Sequence, residues 1–194
     1  PDVLEDATNE LSPLARMTLQ RALQQWQRLD EDMAWCDQHI ATHLKTNEQV
    51  RQAEQLIGVG QVTASAVVAT VGDLRQFKDG SQFGAWLGLT PRQSSSGGKN
   101  SLGRITKRGD MYLRMLLIQG AKAAVISAQK RDDPISKWVL QIKEKSGWQK
   151  AAVALANKNA RILWAVLVRG KAYDPRHVSI KPGSAVTPAL VAPA

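Results

Sequence analysis

The chain has 194 residues, 43% of them hydrophobic and 22% charged, and a net charge of +9. That length holds one domain with a real core plus an extended element. No apolar run approaches the ~18 residues of a membrane span and the N-terminus shows no signal-peptide pattern, so a soluble, cytoplasmic protein with no membrane contact is expected. A single cysteine, Cys36, excludes an internal disulfide and cannot hold a metal alone.

The charge is unevenly placed. Residues 1–60 carry ten acids against five bases, whereas residues 61–194 carry 21 bases against seven acids, a net +14. A basic stretch of that strength is expected to attract a polyanion, nucleic acid being the usual one. The chain opens at Pro1 rather than at a methionine, which suggests a piece of something longer.

From Ala15 to His43 apolar or small residues recur at three-four spacing: Ala15, Leu19, Ala22, Trp26, Leu29, Met33, Cys36, Ile40 and His43. Four heptads without Gly or Pro predict one helix about 45 Å long with a coiled-coil seam that needs a partner. Trp26 is large for a tight dimer core and Ala15, Ala22 and Cys36 are small, which suits antiparallel or heterotypic packing as well as a parallel dimer. His39 and His43 read as surface or seam-end residues, and Cys36 as a small seam residue.

Residues 55–72 follow, and within them Ile57-Gly58-Val59-Gly60 matches the hairpin of a helix-hairpin-helix. Its glycines permit a tight reversal, and the amides that open the second helix offer Gly58 and Gly60 as a phosphate contact. An ordinary helical corner, close-packed through its small residues, is the other reading. Leu74 to Leu89 places Phe77, Phe83, Trp86, Leu87 and Leu89 at helical spacing, with Ser81 as N-cap and Pro91 as terminator.

The most informative stretch is 90–109. It joins Ser94-Ser95-Ser96 to Gly97-Gly98, carries five cations (Arg92, Lys99, Arg104, Lys107 and Arg108), and has only Leu102 and Ile105 as large apolar residues. So polar a segment cannot be core. Glycines let a neighbouring serine be presented with amides around it, and a phosphodiester site needs Arg or Lys to hold the anion and offset developing charge. Ser94, Ser95 and Ser96 are therefore all candidate nucleophiles, though no histidine lies near in sequence to act as base. A short hairpin within 91–104 is the one place where strand could form.

Thr106 or Asp110 can cap the next helix, whose apolar face runs from Met111 to Ile126. Lys107, Arg108 and Arg114 lie around its start, where cations oppose the helix dipole unless an anion is bound. Asp132-Asp133-Pro134 reads as an N-cap with proline early in a helix, a simpler account than a metal pair. Gln149 to Val168 forms the last long helix, on whose outer side Lys158 and Arg161 sit one turn apart, to touch a backbone phosphate or to aid solubility. Beyond Tyr173, prolines and small residues predict a poorly ordered tail.

Gly88-Leu89-Thr90-Pro91-Arg92-Gln93, Ser95-Ser96-Gly97-Gly98-Lys99 and Gly103-Arg104-Ile105-Thr106-Lys107-Arg108-Gly109-Asp110 with Tyr112-Leu113-Arg114 resemble the signature of bacterial insertion-sequence transposases of the one-ten family. These are the recombinases guided by a bridge RNA. The resemblance runs from about Glu54 to about Ala123 and fades towards Gly170. It implies a C-terminal transposase domain whose serine attacks DNA and forms a phosphoserine linkage, and it matches Ser96, directly before the first glycine, to that nucleophile, with Ser95 as the fallback. It also implies an N-terminal RuvC-like domain that holds Mg2+. This chain has no acidic cluster for that metal, so no cofactor is expected here.

The expected fold is all-α: a coiled-coil arm (1–50), a compact helical domain with a helix-hairpin-helix and a Ser/Gly-rich loop (51–172), and a flexible tail (173–194). Expected partners are DNA, guide RNA and a homo-oligomer, dimer or tetramer, formed through the arm. The expected nucleic-acid contacts are Arg92, Lys99, Arg104, Lys107, Arg108, Arg114, Gly58 and Gly60. Two other classes compete. One is a non-catalytic helix-hairpin-helix module that binds nucleic acid and oligomerises; the other is a coiled-coil assembly protein whose basicity is incidental.

Overall fold

The computed structural model describes residues 10–96, 99–170 and 172–176, together with Leu4, Asp6 and Thr8; at 95–96 and 99–102 it describes the backbone. Most of the anticipated tail lies outside the described residues. The described chain is mainly α-helical, with one two-stranded antiparallel sheet.

Helix α1 spans Pro13–Thr46. The Ser12 hydroxyl accepts the Ala15 amide at 3.2 Å, and Pro13 takes the first turn, where its missing N–H costs nothing. Its 34 residues extend for about 51 Å. The helix stops at Asn47, whose side-chain oxygen accepts the amides of Gln49 and Val50 and so opens α2 (Glu48–Glu54). No residue of α1 is buried. The apolar stripe stands in solvent, with Trp26 67%, Leu29 57% and Met33 64% exposed. Only the C-terminal end of α1 leans on α2 and α3 (Gln61–Val71), through Leu44.

The helical domain is organised around its last helix. After α3 come a 3-10 turn at Leu74–Gln76, α4 (Gly80–Trp86), strands β1 (Pro91–Ser96) and β2 (Lys99–Ile105), α5 (Met111–Ser127), a second 3-10 turn at Ala128–Lys130, α6 (Pro134–Ser146) and α7 (Trp148–Arg169). Helix α7 packs against α5, α6, α4 and α2. Its buried Ala151, Ala152, Leu155, Ala156, Ala160 and Leu163 form a mostly small-residue face that lets those helices approach closely. Two polar side chains tie distant segments to it. Asn159 donates to the Ile57 carbonyl at 2.8 Å, and the Trp164 indole N–H lies 3.1 Å from the carbonyls of both Leu74 and Phe77. The Ile57 and Phe77 carbonyls gain a partner in this way, and the Leu74 carbonyl, which already accepts the Phe77 amide, gains a second.

By length and composition α7 also has the apolar character of a membrane span, contrary to the expectation that no run reaches it. In the fold, 56% of that stretch is buried inside the domain, so the apolar surface is core.

Caps set the other helix starts. Asp79, not Ser81, opens α4, because its carboxylate reaches the amides of both Ser81 and Gln82 at 2.8 Å. Asp110 caps α5 through the Leu113 amide, and Asp133 caps α6 through the Ser136 amide, with Pro134 in the first turn.

Candidate nucleic-acid interface

The stretch expected to carry chemistry folds as the β1–β2 hairpin. Pro91 pairs with Ile105, Gln93 with Leu102, Ser94 with Ser101, Ser95 with Asn100 and Ser96 with Lys99; the register slips once between Pro91 and Gln93. That bulge sets Arg92 against Gly103 and Arg104, which bends the ribbon as it leaves the domain. Ser96 and Lys99 are thus register partners at the far end. Successive strand positions belong to opposite faces, so Ser95 and Ser96 are inequivalent.

The base of the hairpin is held by backbone. The Thr106 amide donates to the Thr90 carbonyl at 2.9 Å, and the Lys107 amide to the Gly88 carbonyl at 3.1 Å. Gly88 (φ 71) and Gly109 (φ 100) both lie in the left-handed region. A Cβ on Gly88 would strike the backbone of Arg108, and one on Gly109 the carbonyl of Trp86. The segment leaving α4 and the segment entering α5 therefore cross at a contact that only glycine permits. Beneath it, Trp86 packs on Phe77 and Phe83, with ring centroids 5.4 and 6.0 Å away.

Arg114 belongs to this base and not to an open surface. It is 9% exposed, and its guanidinium donates to the Leu87 carbonyl at 3.0 Å and to the Asp110 carbonyl at 3.3 Å. Buried in this way, it fixes the chain around the hairpin and is not placed to meet a phosphate. The expected conflict between cations and the α5 dipole is also answered, since the Asp110 carboxylate occupies that N-terminus.

Arg92, Arg104, Lys107 and Arg108 are exposed, and none forms an ion pair with a described residue. Lys107 is the one described non-glycine residue at positive φ, 55°. Sequence reasoning had counted its charge and missed its strain. The clasp of Gly88 and Gly109 was missed too, although the two glycines bracketing the polar stretch were a usable signal.

The Ile57–Gly60 reversal divides its two glycines. Gly58 (φ 80) packs on α5, where its missing side chain makes room for the backbone of Gly120. Gly60 is exposed and opens α3 without a side-chain cap. Gly58 thus serves close packing, and Gly60 alone is open to a ligand. No three His, Cys, Asp or Glu side chains among the described residues come together to hold a metal ion.

Residues 50–135 match the transposase IS116/IS110/IS902 family. These residues belong to that transposase family. It is 46% identical over 149 residues to a probable family 20 transposase of Pseudomonas aeruginosa, covering 77% of this chain and 44% of that protein. It is 38% identical over 173 residues to the transposase for insertion sequence element IS1111A of Coxiella burnetii, covering 89% and 48%. Against the transposase for insertion sequence element IS1328 of Yersinia enterocolitica the identity is 34% over 166 residues, covering 86% and 50%. The chain thus spans about half the length of these transposases. The residues matched to the family contain the hairpin, its clasp and every expected nucleic-acid contact, and they exclude α1 and α7.

Proposed function

We propose that this chain is the C-terminal half of a DNA transposase and that its β1–β2 hairpin delivers Ser96 to a DNA phosphodiester. One observation carries the reading. A ribbon bearing three successive serines leaves a base locked by Gly88, Gly109 and Arg114, and exposed Arg92, Arg104, Lys107 and Arg108 surround it with no counter-ion among the described residues. Rigid support below and unneutralised cations alongside suit a group that must be aimed at a polyanion.

In the proposed step the Ser96 Oγ bonds to phosphorus and one phosphorus–oxygen bond to deoxyribose breaks. The freed deoxyribose oxygen gains a proton and the serine hydroxyl proton passes to a base. The phosphoserine bond preserves the phosphodiester's energy, so a strand hydroxyl can reverse the attack and join a new partner. Arg104 and Lys107 hold the phosphate and offset its charge. A RuvC-like, Mg2+-binding half would complete the site, a bridge RNA would choose the DNA by base pairing, and α1 would join copies into a dimer or tetramer in the bacterial cytoplasm.

Full-length protein incubated with a nicked DNA substrate should leave a covalent protein–DNA adduct, and mass spectrometry of the linked peptide should place the bond on Ser96. Ser96→Ala should abolish the adduct and keep DNA binding. Adduct of normal yield in Ser96→Ala with loss in Ser95→Ala would move the role to Ser95. Normal yield in the alanine variants of all three serines, with binding intact, would leave a non-catalytic binding module instead.

A further inference from the structure

A second cluster of cations lies away from the hairpin, outside the residues matched to the family. Lys158 and Arg161 sit one turn apart on α7. The Lys158 ammonium lies 4.7 Å from the centroid of the Trp138 indole of α6, and Arg161 is exposed. Neither has an ion-pair partner among the described residues. Burial lowers the lysine's pKa, and the neighbouring guanidinium lowers it further. The acids described on the helices packed against α7, or at their starts, are Asp132 and Asp133 at α6, engaged by Lys137 and by Ser136 and Arg131, Glu144 towards its far end, Asp79 and Asp110 in capping α4 and α5, and Glu48 and Glu54 on α2, and none of them forms an ion pair with Lys158 or Arg161. Two like charges, one half-buried, thus face each other without compensation, an arrangement the fold tolerates at a cost and an anion would relieve.

Packing relates this pair to the hairpin. Gly80 at the start of α4 lies on Arg161, where a Cβ would come within 2.8 Å of the arginine Cα; Gly84, one turn on, lies against Asn157. The other end of α4 is Trp86, whose carbonyl meets Gly109 in the clasp. The seven residues of α4 span about 10 Å. Arg161 therefore lies at the other end of one short helix from the hairpin base, a span that holds about three phosphates of one duplex strand at ~3.4 Å each.

We propose that Lys158 and Arg161, set beside Trp138, grip a backbone phosphate of the same nucleic-acid strand that the hairpin engages. The indole orients the ammonium and shields it from water, which strengthens its attraction to an anion, and the guanidinium supplies a second, directional donor set. The contact reads backbone and not base. This rests on nucleic acid being the ligand of the domain and is independent of Ser96 as nucleophile.

The test is a fluorescence titration of the chain, over a series of salt concentrations, with a labelled DNA duplex and a labelled single-stranded RNA of equal length. The variant is Lys158→Met with Arg161→Gln, which keeps a stem of similar length at both positions, the one beside Trp138 included, and removes both charges. Its log-log salt slope should flatten by about 0.9 on duplex or about 0.7 on single strand, for the one phosphate the pair grips, and the polymer that shows the change identifies the strand held. Its thermal midpoint should stay level or rise, because a repulsion has gone. Lys150→Met, which removes an exposed charge from the start of the same helix, is the control and should leave the slope nearly unchanged. An unaltered slope in the double variant, or an equal loss in Lys150→Met, overturns the proposal. If the unsubstituted chain binds neither polymer, the premise falls with it. Loss of adduct chemistry alone leaves the proposal standing.

Discussion

Replacing Gly120 by alanine tests whether the Ile57–Gly60 reversal is a packed corner or a free phosphate-binding turn. Alanine in a helix interior is favoured over glycine by about 1 kcal/mol, and on that ground alone the variant gains stability. The structure argues for the opposite sign. An alanine Cβ there would be driven into the Gly58 carbonyl oxygen and would stand 2.9 Å from its carbonyl carbon. Relief requires α5 to move from the corner, at the ~2 kcal/mol typical of overpacking. Movement of the corner also strains the 2.8 Å bond from Asn159, a side chain only 1% exposed, to the Ile57 carbonyl; leaving both partners unpaired costs about 2 kcal/mol. The net expectation is a loss of about 3 kcal/mol, which shifts the midpoint of urea unfolding down by about 1.5 M for a slope near 2 kcal/mol/M. Far-UV circular dichroism measures it. Gly60→Ala, where a Cβ meets nothing within 4 Å, should cost less than about 1 kcal/mol. A Gly120→Ala protein as stable as the parent would refute the close packing and return Gly58 to the candidate ligand contacts.

Lys107→Gly should raise the thermal midpoint by about 3 °C, since glycine removes roughly 1 kcal/mol of left-handed backbone cost, while flattening the salt slope of DNA binding by about 0.9; a fall in stability would show that the lysine side chain supports the hairpin. Leu29→Asp with Met33→Asp should dissociate oligomers of the chain, read as a drop in light-scattering mass, because it puts charge on the exposed stripe of α1. An unchanged mass from an oligomeric parent would dismiss the arm as the contact. Asp133→Ala should cost about 1 kcal/mol at neutral pH. Burial raises the Asp133 pKa, but its bonds to Ser136 and Arg131 outweigh that and hold it below the ordinary aspartate value. The carboxylate's contribution is therefore present above the unfolded pKa and lost as pH falls through the folded one. The gap between variant and parent should narrow in acid, and urea titrations showing a constant gap would count against the charged cap.

Local chemistry carried far into this fold. The three-four stripe of α1 and its length followed from spacing alone, within three residues of the observed ends. The sequence marked 91–104 as the one place where strand could form, and the two strands of the fold lie there, at Pro91–Ser96 and Lys99–Ile105. Asp110 and Asp133 could be read as caps because a carboxylate three residues before an amide is a short-range relation. Asp79 was missed in favour of Ser81 although its bonds to the Ser81 and Gln82 amides are just as short-range. At the site the limit was different: Lys107 and Arg108 were legible as cations but Arg114, of the same residue type, was not legible as buried, because its partner Leu87 is 27 residues away.

What the sequence by itself determined is what neighbouring residues decide: helix against hairpin, where caps sit, that a basic, hydroxyl-rich segment stands outside the core, and the family that its motifs resemble. Only the tertiary structure decided which glycines and cations remain free. Gly58 and Gly60 are two residues apart, yet one is filled by Gly120 and the other is open; Arg114 reaches back 27 residues to Leu87, and Asn159 reaches back 102 to Ile57. Such pairings depend on close approach between segments remote in the chain, and the energy that separates a buried, bonded arginine from a solvated one resides in those contacts and not in the residue itself.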